Sequence, residues 1–135
     1  MNAVDTNILI YAHDSRDPVK QLAARNLVDN LSDGALLWQV ACEFIAVARR
    51  LRAKGVAVPE PWGEIALLQA TWTSIPSRWR FLARAETLLG AYSLSFWDSL
   101  LISACLESGI QRLYSEDFSA YPKIDSLEIV NPFIP

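Results

Sequence analysis

An α/β fold around a mainly parallel sheet is what this sequence predicts, and three observations carry it. Short apolar or β-branched runs (Met1 to Val4, Ala35 to Leu37, Thr71 to Ile75, Arg112 to Tyr114, Leu127 to Val130) alternate with longer stretches whose apolar residues recur at helical spacing. Two of those runs end at a carboxylate, Asp5 and Asp117, where open α/β sheets place their ligands. The length, 135 residues at 52% hydrophobic content, is enough for one core, so a single domain over residues 1–135 is expected.

The first run leads into Asp5-Thr6-Asn7 and then the apolar Ile8-Leu9-Ile10-Tyr11-Ala12. Asp5 suits a ligand site at a strand end, and equally the N-cap of a helix starting near Asn7. Asp17 is expected to cap a helix whose first residue is Pro18 and whose apolar face carries Leu22, Ala23, Leu27 and Leu31; Ser32-Asp33-Gly34 ends it. After the strand Ala35 to Leu37, WQVACEFIAVARRLRAKG is a helix closing at Gly55, with Arg49, Arg50, Arg52 and Lys54 in its last turns, where the helix dipole favours cations. Inside it, Glu43 has Val40, Ala46 and Val47 at i−3, i+3 and i+4, so its carboxylate either projects from an apolar face or reaches from that face's edge to water.

Pro59-Glu60-Pro61 starts another helix through Gln69, and Thr71 to Ile75 is a strand by its β-branched and aromatic content. Ser77 is expected to cap a helix holding Phe81, Leu82, Ala85, Leu88 and Leu89, with Arg78, Arg80 and Arg84 on its solvated face. In SLSFWDSLLISACLESG, Ser95 is the N-cap, Gly109 the stop, and Asp98 falls in the first turn, close to a capping box. Strands at Arg112 to Tyr114 and Leu127 to Val130 flank the turn Ser115-Glu116-Asp117-Phe118. The five tryptophans are expected in core and interface packing, with Trp97 beside Asp98 bordering a site.

A net charge of −3 and a pI near 5.1 exclude nucleic-acid binding by bulk charge; a local basic patch or bound cations would have to supply it. Cys42 and Cys105 lie in apolar helical patterns, which predicts two buried reduced thiols, and with the lone His13 they make no zinc spacing. No stretch approaches the roughly 20 apolar residues of a membrane span, and the N-terminus lacks the features of a secretory leader, so a soluble protein of the cytosol is expected. There is no glycine-rich phosphate loop, no internal repeat and no Ser-His-Asp order.

A parallel sheet would bring Asp5, Glu43, Asp98 and Asp117 to one carboxyl edge. At about 5 Å and an effective dielectric near 20, each ionised pair repels by roughly 3 kcal/mol, so the four cannot all stay charged without a cation. Mg2+ or Mn2+ meets that need, since hard divalent ions take oxygen ligands and keep several waters. Such an ion polarises a phosphoryl oxygen and activates water, which points to phosphodiester hydrolysis. Thr6, Asn7 and Ser115 stand beside the carboxylates with groups suited to orienting a water or a phosphate, although local capping explains them equally well.

VDTNILIYA, the Glu within WQVACEF, SFWDSLLISA, LYSED and the terminal NPF together resemble the PIN-domain ribonucleases, most closely the VapC-type toxins of bacterial toxin-antitoxin pairs. The resemblance spans nearly the whole chain. It implies a PIN-like three-layer fold with a five-stranded parallel sheet flanked by helices, and a site using Mg2+ or Mn2+ to cut single-stranded RNA. Asp5, Glu43, Asp98 and Asp117 match the family's four acidic positions; Asp117, two after Ser115, fits the pattern better than Glu116. A homodimer and a small cognate antitoxin are the implied partners, and a PIN nuclease of RNA processing is the alternative role. A receiver-like module would want an acidic pair after the first strand and a late lysine, whereas this chain has Asp5 alone and, beyond Lys54, only Lys123. A pure interaction module would need none of these carboxylates. Arg50, two turns or roughly 10 Å beyond Glu43 on the same helix, is the candidate contact for a neighbouring phosphate.

Overall fold

The computed structural model describes residues 1–135. The elements in chain order are β1 (Asn2–Val4), α1 (Thr6–His13), α2 (Pro18–Asn30), β2 (Gly34–Leu37), α3 (Trp38–Ala53), α4 (Pro61–Thr71), β3 (Thr73–Ile75), α5 (Trp79–Ala91), α6 (Phe96–Glu107), β4 (Arg112–Tyr114), β5 (Lys123–Ile124) and β6 (Leu127–Val130). They form one sheet in the order β3-β2-β1-β4-β6-β5, parallel throughout except for the β5–β6 pair.

Six strands stand where five were expected. The extra one, β5, is two residues long and pairs back on β6 through a turn whose Asp125 takes φ 50°. A segment that short, preceded by Pro122, carries no period-two signal.

β1 lies inside the sheet, with Ala3 opposite Ala35 of β2 on one side and Leu113 of β4 on the other. The chain runs outward from β1 through β2 to β3, then returns to build the other half from β4. The topological switch point therefore falls between β1 and β4, the position at which open sheets bind ligands. Right-handed crossovers place α1 to α4 on one face and α5 and α6 on the other. Packing agrees, since α1 lies against α2 and α3, α3 against α4, and α5 against α6. A cluster of 27 buried apolar residues, including Ile8, Phe44, Ile102 and Leu113, fills both interfaces, so the strand ends sit on a close-packed base.

The caps explain most helix starts. Asp17 accepts from Lys20 N at 3.1 Å, Glu60 from Trp62 N and Gly63 N at 2.8 and 2.9 Å, and Ser95 from Asp98 N at 3.1 Å. Ser77 does not cap α5, which begins at Trp79 after an extended Arg78 with no side-chain cap. Thr71 belongs to α4 rather than to a strand, and Trp72 links that helix to β3. Arg84 is not simply solvated: it bonds Asp125 at 3.0 Å and ties α5 to the β5–β6 turn.

Two burial expectations are corrected. Cys42 is exposed and only Cys105 is buried, because Cys42 falls on the outer side of α3. Trp38, Trp62, Trp79 and Trp97 are exposed, Trp79 at 88%, and Trp72 alone is packed against the core, so tryptophan here is mostly surface. No single helix is long and apolar enough to cross a membrane.

Gly34, buried in β2, allows the ring of Trp72 to approach: a β-carbon there would lie 2.7 Å from it. Gly34→Ala is expected to lower stability by about 1 to 3 kcal/mol, read as a fall in the urea midpoint. An unchanged midpoint would mean that Trp72 swings aside freely.

Candidate active site

The site grows from the ends of β1 and β4. The sheet ladder continues one residue past each strand: Asp5 N donates to Tyr114 O at 2.8 Å and Ser115 N to Val130 O at 3.0 Å. That continuation fixes Asp5 and Ser115 side by side. One Asp5 carboxylate oxygen accepts from Thr6 N at 2.7 Å, capping α1, and the other accepts from Ser115 Oγ at 2.7 Å. The same carboxylate thus caps α1 and lines the cleft at the strand end.

Ser115 Oγ also accepts from Asp117 N at 3.1 Å, which curls the loop after β4 so that Asp117 reaches the cleft. Asn7 Nδ2 donates to Asp117 Oδ2 at 3.0 Å. From α3, Glu43 accepts from Thr6 Oγ1 at 2.8 Å and from Gln39 Nε2 at 3.1 Å, and the same Gln39 nitrogen donates to Trp97 O at 3.2 Å. Asp98 stands in the first turn of α6, with its backbone N–H held by Ser95. All four carboxylates line one cleft of about 580 Å3, together with Thr6, Asn7 and Arg50; Ser115 lies buried behind it.

None of the four carboxylates forms an ion pair. Burial pushes the Asp5 carboxyl up to about 6; the Ser115 and Thr6 hydrogen bonds pull against it, and the charges of Asp117 and Glu43 add to it. Asp117 is raised as well, by desolvation first and then by Glu116 and Asp98, with Lys20 opposing. Glu116 itself turns away: its oxygens accept from Tyr11 Oη at 2.7 Å and Lys20 Nζ at 2.8 Å, and Lys20 also sits over the rings of Tyr11 and Phe133. This contact separates the adjacent acids, with Glu116 held by α1 and α2 while Asp117 faces the cleft. Lys20→Met should free the loop, read as faster amide hydrogen exchange at Asp117, with Lys20→Arg retaining most of the protection; equal exchange in the methionine variant would mean that Ser115 alone positions Asp117.

A divalent cation fits this donor set. Every polar group aimed at the carboxylates is a hard oxygen or an amide, and two buried acceptor oxygens, Asn7 Oδ1 and Gln39 Oε1, have no partner. Both amide orientations are forced, because each nitrogen faces a carboxylate. No three carboxylates converge closely enough to chelate one ion by themselves. The arrangement therefore suits an ion that keeps most of its waters, and those waters would satisfy Asn7 Oδ1, which lines the cleft.

Several site residues carried no sequence signal. Lys20 and Glu116 are 96 positions apart, and Asp14 and Arg16, which also line the cleft, sit in a loop without periodicity. Gln39 was detectable, being at i−4 from Glu43 on one helix face. A second cavity of about 320 Å3 between α1, α2 and α4 contains the His13–Glu64 pair at 3.3 Å and none of the four acids.

The PIN domain family model matches residues 3–125. No curated protein matches the sequence. Among solved structures, a toxin-antitoxin complex from Klebsiella pneumoniae aligns with TM-score 0.70 at 19% identity, covering 98% of each chain. VapC20 of Mycobacterium tuberculosis, a sarcin-ricin loop cleaving toxin, aligns with TM-score 0.71 at 17% identity over 92% of this chain and 97% of that one. VapBC2 from Rickettsia felis, bound to a DNA fragment from its promoter, aligns with TM-score 0.66 at 15% identity over 96% and 97%. At these identities the likeness is one of fold.

Proposed function

The chain belongs to the PIN domain family, whose members are nucleases, and from that premise we propose that it is an endoribonuclease that hydrolyses single-stranded RNA with Mg2+ or Mn2+. One observation supports this reading above the others: four carboxylates from four separate segments line one cleft at the switch point, and no basic side chain neutralises any of them. Uncompensated charge of that kind is costly unless a cation arrives with the substrate.

In this proposal Asp5, Glu43, Asp98 and Asp117 would hold the ion together with its waters, and the ion would polarise the phosphoryl oxygen and lower the pKa of water. Thr6 orients Glu43 through its hydroxyl, and Ser115 holds Asp5 against the loop carrying Asp117. The acceptor oxygen of Asn7 takes a hydrogen bond from water in the cleft and so fixes where it stands. Asp117, the most exposed of the four and with a raised pKa, is placed to take the proton from the attacking water. A receiver-like role has no support in the geometry, since Lys123 lies on the edge strand β5.

The toxin role and the antitoxin partner are part of the same proposal, supported by structural neighbours that are toxin-antitoxin complexes. Exposed Trp38, Phe96 and Trp97, beside the N-terminal ends of α3 and α6, offer apolar surface for a homodimer. The cytosol, where RNA and such a partner meet, is the proposed location. The test is incubation of the purified protein with single-stranded RNA in Mg2+, in Mn2+ and in EDTA. Cleavage is expected in the first two and none in the third; cleavage of equal rate in EDTA would reject the metal-dependent reading.

A further inference from the structure

The cleft does not stop at the carboxylates. It continues as a groove between α1 and α3, over an apolar strip that includes Ile10, Ala46 and Val47, to a second end where Arg16 and Arg50 both line it. An acidic end and a basic end share one channel. Seven residues of helix separate Asn7 from Asp14 and Glu43 from Arg50, so the basic end lies roughly 10 Å from the acidic one.

The two arginines are presented differently. Arg50 has no ion-pair partner. Arg16 is held: its Nε lies 3.0 and 3.1 Å from the two Asp14 oxygens, its Nη2 lies 2.7 Å from Oδ2, and its backbone N–H donates to Oδ1 at 3.0 Å. Asp14 is the C-cap of α1 and only 6% exposed, so the clamp stands on a rigid, buried foot. The guanidinium has five donors; the pair uses the Nε hydrogen and one on Nη2, which leaves three on the outer edge. A fixed guanidinium with free donors loses little entropy on gripping a phosphate oxygen.

Resting on the nuclease reading above, we propose that the groove between α1 and α3 is the track of the RNA strand, and that Arg16, oriented by Asp14, grips a backbone phosphate beyond the scissile one, opposite Arg50. The apolar strip between the two ends takes the sugar or base in between. The acidic end receives the scissile phosphate through its cation, and the basic end binds the neighbouring phosphate directly. This division accounts for an acidic protein holding an anionic strand without bulk positive charge.

The experiment measures binding apart from cleavage. Fluorescence anisotropy follows a labelled, mixed-sequence single-stranded RNA of about a dozen nucleotides, in Mg2+, on the Asp5→Asn protein with and without Arg16→Met, Asp14→Asn or Arg50→Ala. Arg16→Met is expected to weaken binding about tenfold and to flatten the salt dependence by about 0.7 in log–log slope, one phosphate contact on a single strand. Asp14→Asn, which keeps the turn but frees the guanidinium, should give a smaller loss. In otherwise wild-type protein, Arg16→Met should raise KM for the long RNA. Parental affinity and slope in Arg16→Met would overturn the assignment, and so would unchanged RNA binding together with lost binding of a glutamate-rich peptide, which would give the arginine to an acidic protein segment. Failure of the nuclease reading looks different: no form binds RNA, or the wild-type protein leaves it uncut in Mg2+ and in Mn2+.

Discussion

Asp5→Asn is expected to reduce metal-dependent RNA cleavage by at least about a thousandfold while making the metal-free protein more stable near pH 8. The side-chain oxygen that remains can still accept from Thr6 N, and the new amide can donate to Ser115 Oγ, so the cap and the strand-end contact survive. Only the charge is lost. The sign of the stability change follows from the shift: the folded-state pKa of about 6 lies above the ordinary aspartate value of 3.8. Between those pH values the folded protein binds more protons than the unfolded one, so stability falls as pH rises through that window and the penalty is complete above it. Two pKa units correspond to about 3 kcal/mol at most. The variant should therefore match wild type in melting temperature at pH 4 and exceed it by several degrees at pH 8, both in EDTA. Full activity with lower stability would reduce Asp5 to a helix cap.

Ser115→Ala should give the second largest effect, and it should depend on pH. The hydroxyl, 1% exposed, donates to Asp5 and accepts from the Asp117 backbone, so its loss both raises the Asp5 pKa further and releases the loop. Leaving a buried carboxylate oxygen and a backbone N–H without this partner costs about 1 to 3 kcal/mol. Cleavage at pH 7 is expected to drop some 10- to 100-fold, with the acid limb of the pH–rate profile displaced upward and part of the activity recovered at higher pH. A uniform loss at all pH values would mean that Ser115 acts on Asp117 alone.

Much of this site was legible in the sequence because its carboxylates break local rules. Asp5 and Asp117 follow strand-like runs, and Glu43 interrupts an apolar helix face; each is conspicuous against its neighbours, and sheet topology then supplies the common meeting place. Asp98 was harder, since a capping box explains it as well, and in the structure Ser95 does cap that turn. The sixth strand was out of reach because two residues carry no periodicity. So were the contacts that set the fine geometry. Lys20 holding Glu116 away from the cleft is a tertiary juxtaposition between elements whose local patterns say only that they are solvated, and the local Asp14–Arg16 contact lies in a loop with no periodicity to mark it. Cys42 and the core half of the tryptophan reading mark the opposite failure, where composition suggested burial and the side chain lies outside.

A cation site serving hydrolysis is what we propose the four unpaired carboxylates to be. Titration of Mn2+ into the protein at pH 7.5 (about one and a half units above the raised Asp5 pKa of about 6), followed by electron paramagnetic resonance, tests it without any RNA. Wild type should bind the ion, Asp5→Asn and Asp98→Asn should each bind it at least about tenfold more weakly, and loss of binding should track loss of cleavage. Mn2+ binding in both variants equal to wild type would contradict the account, because the carboxylates would then be caps and helix-face residues whose gathering in one cleft has nothing to do with metal.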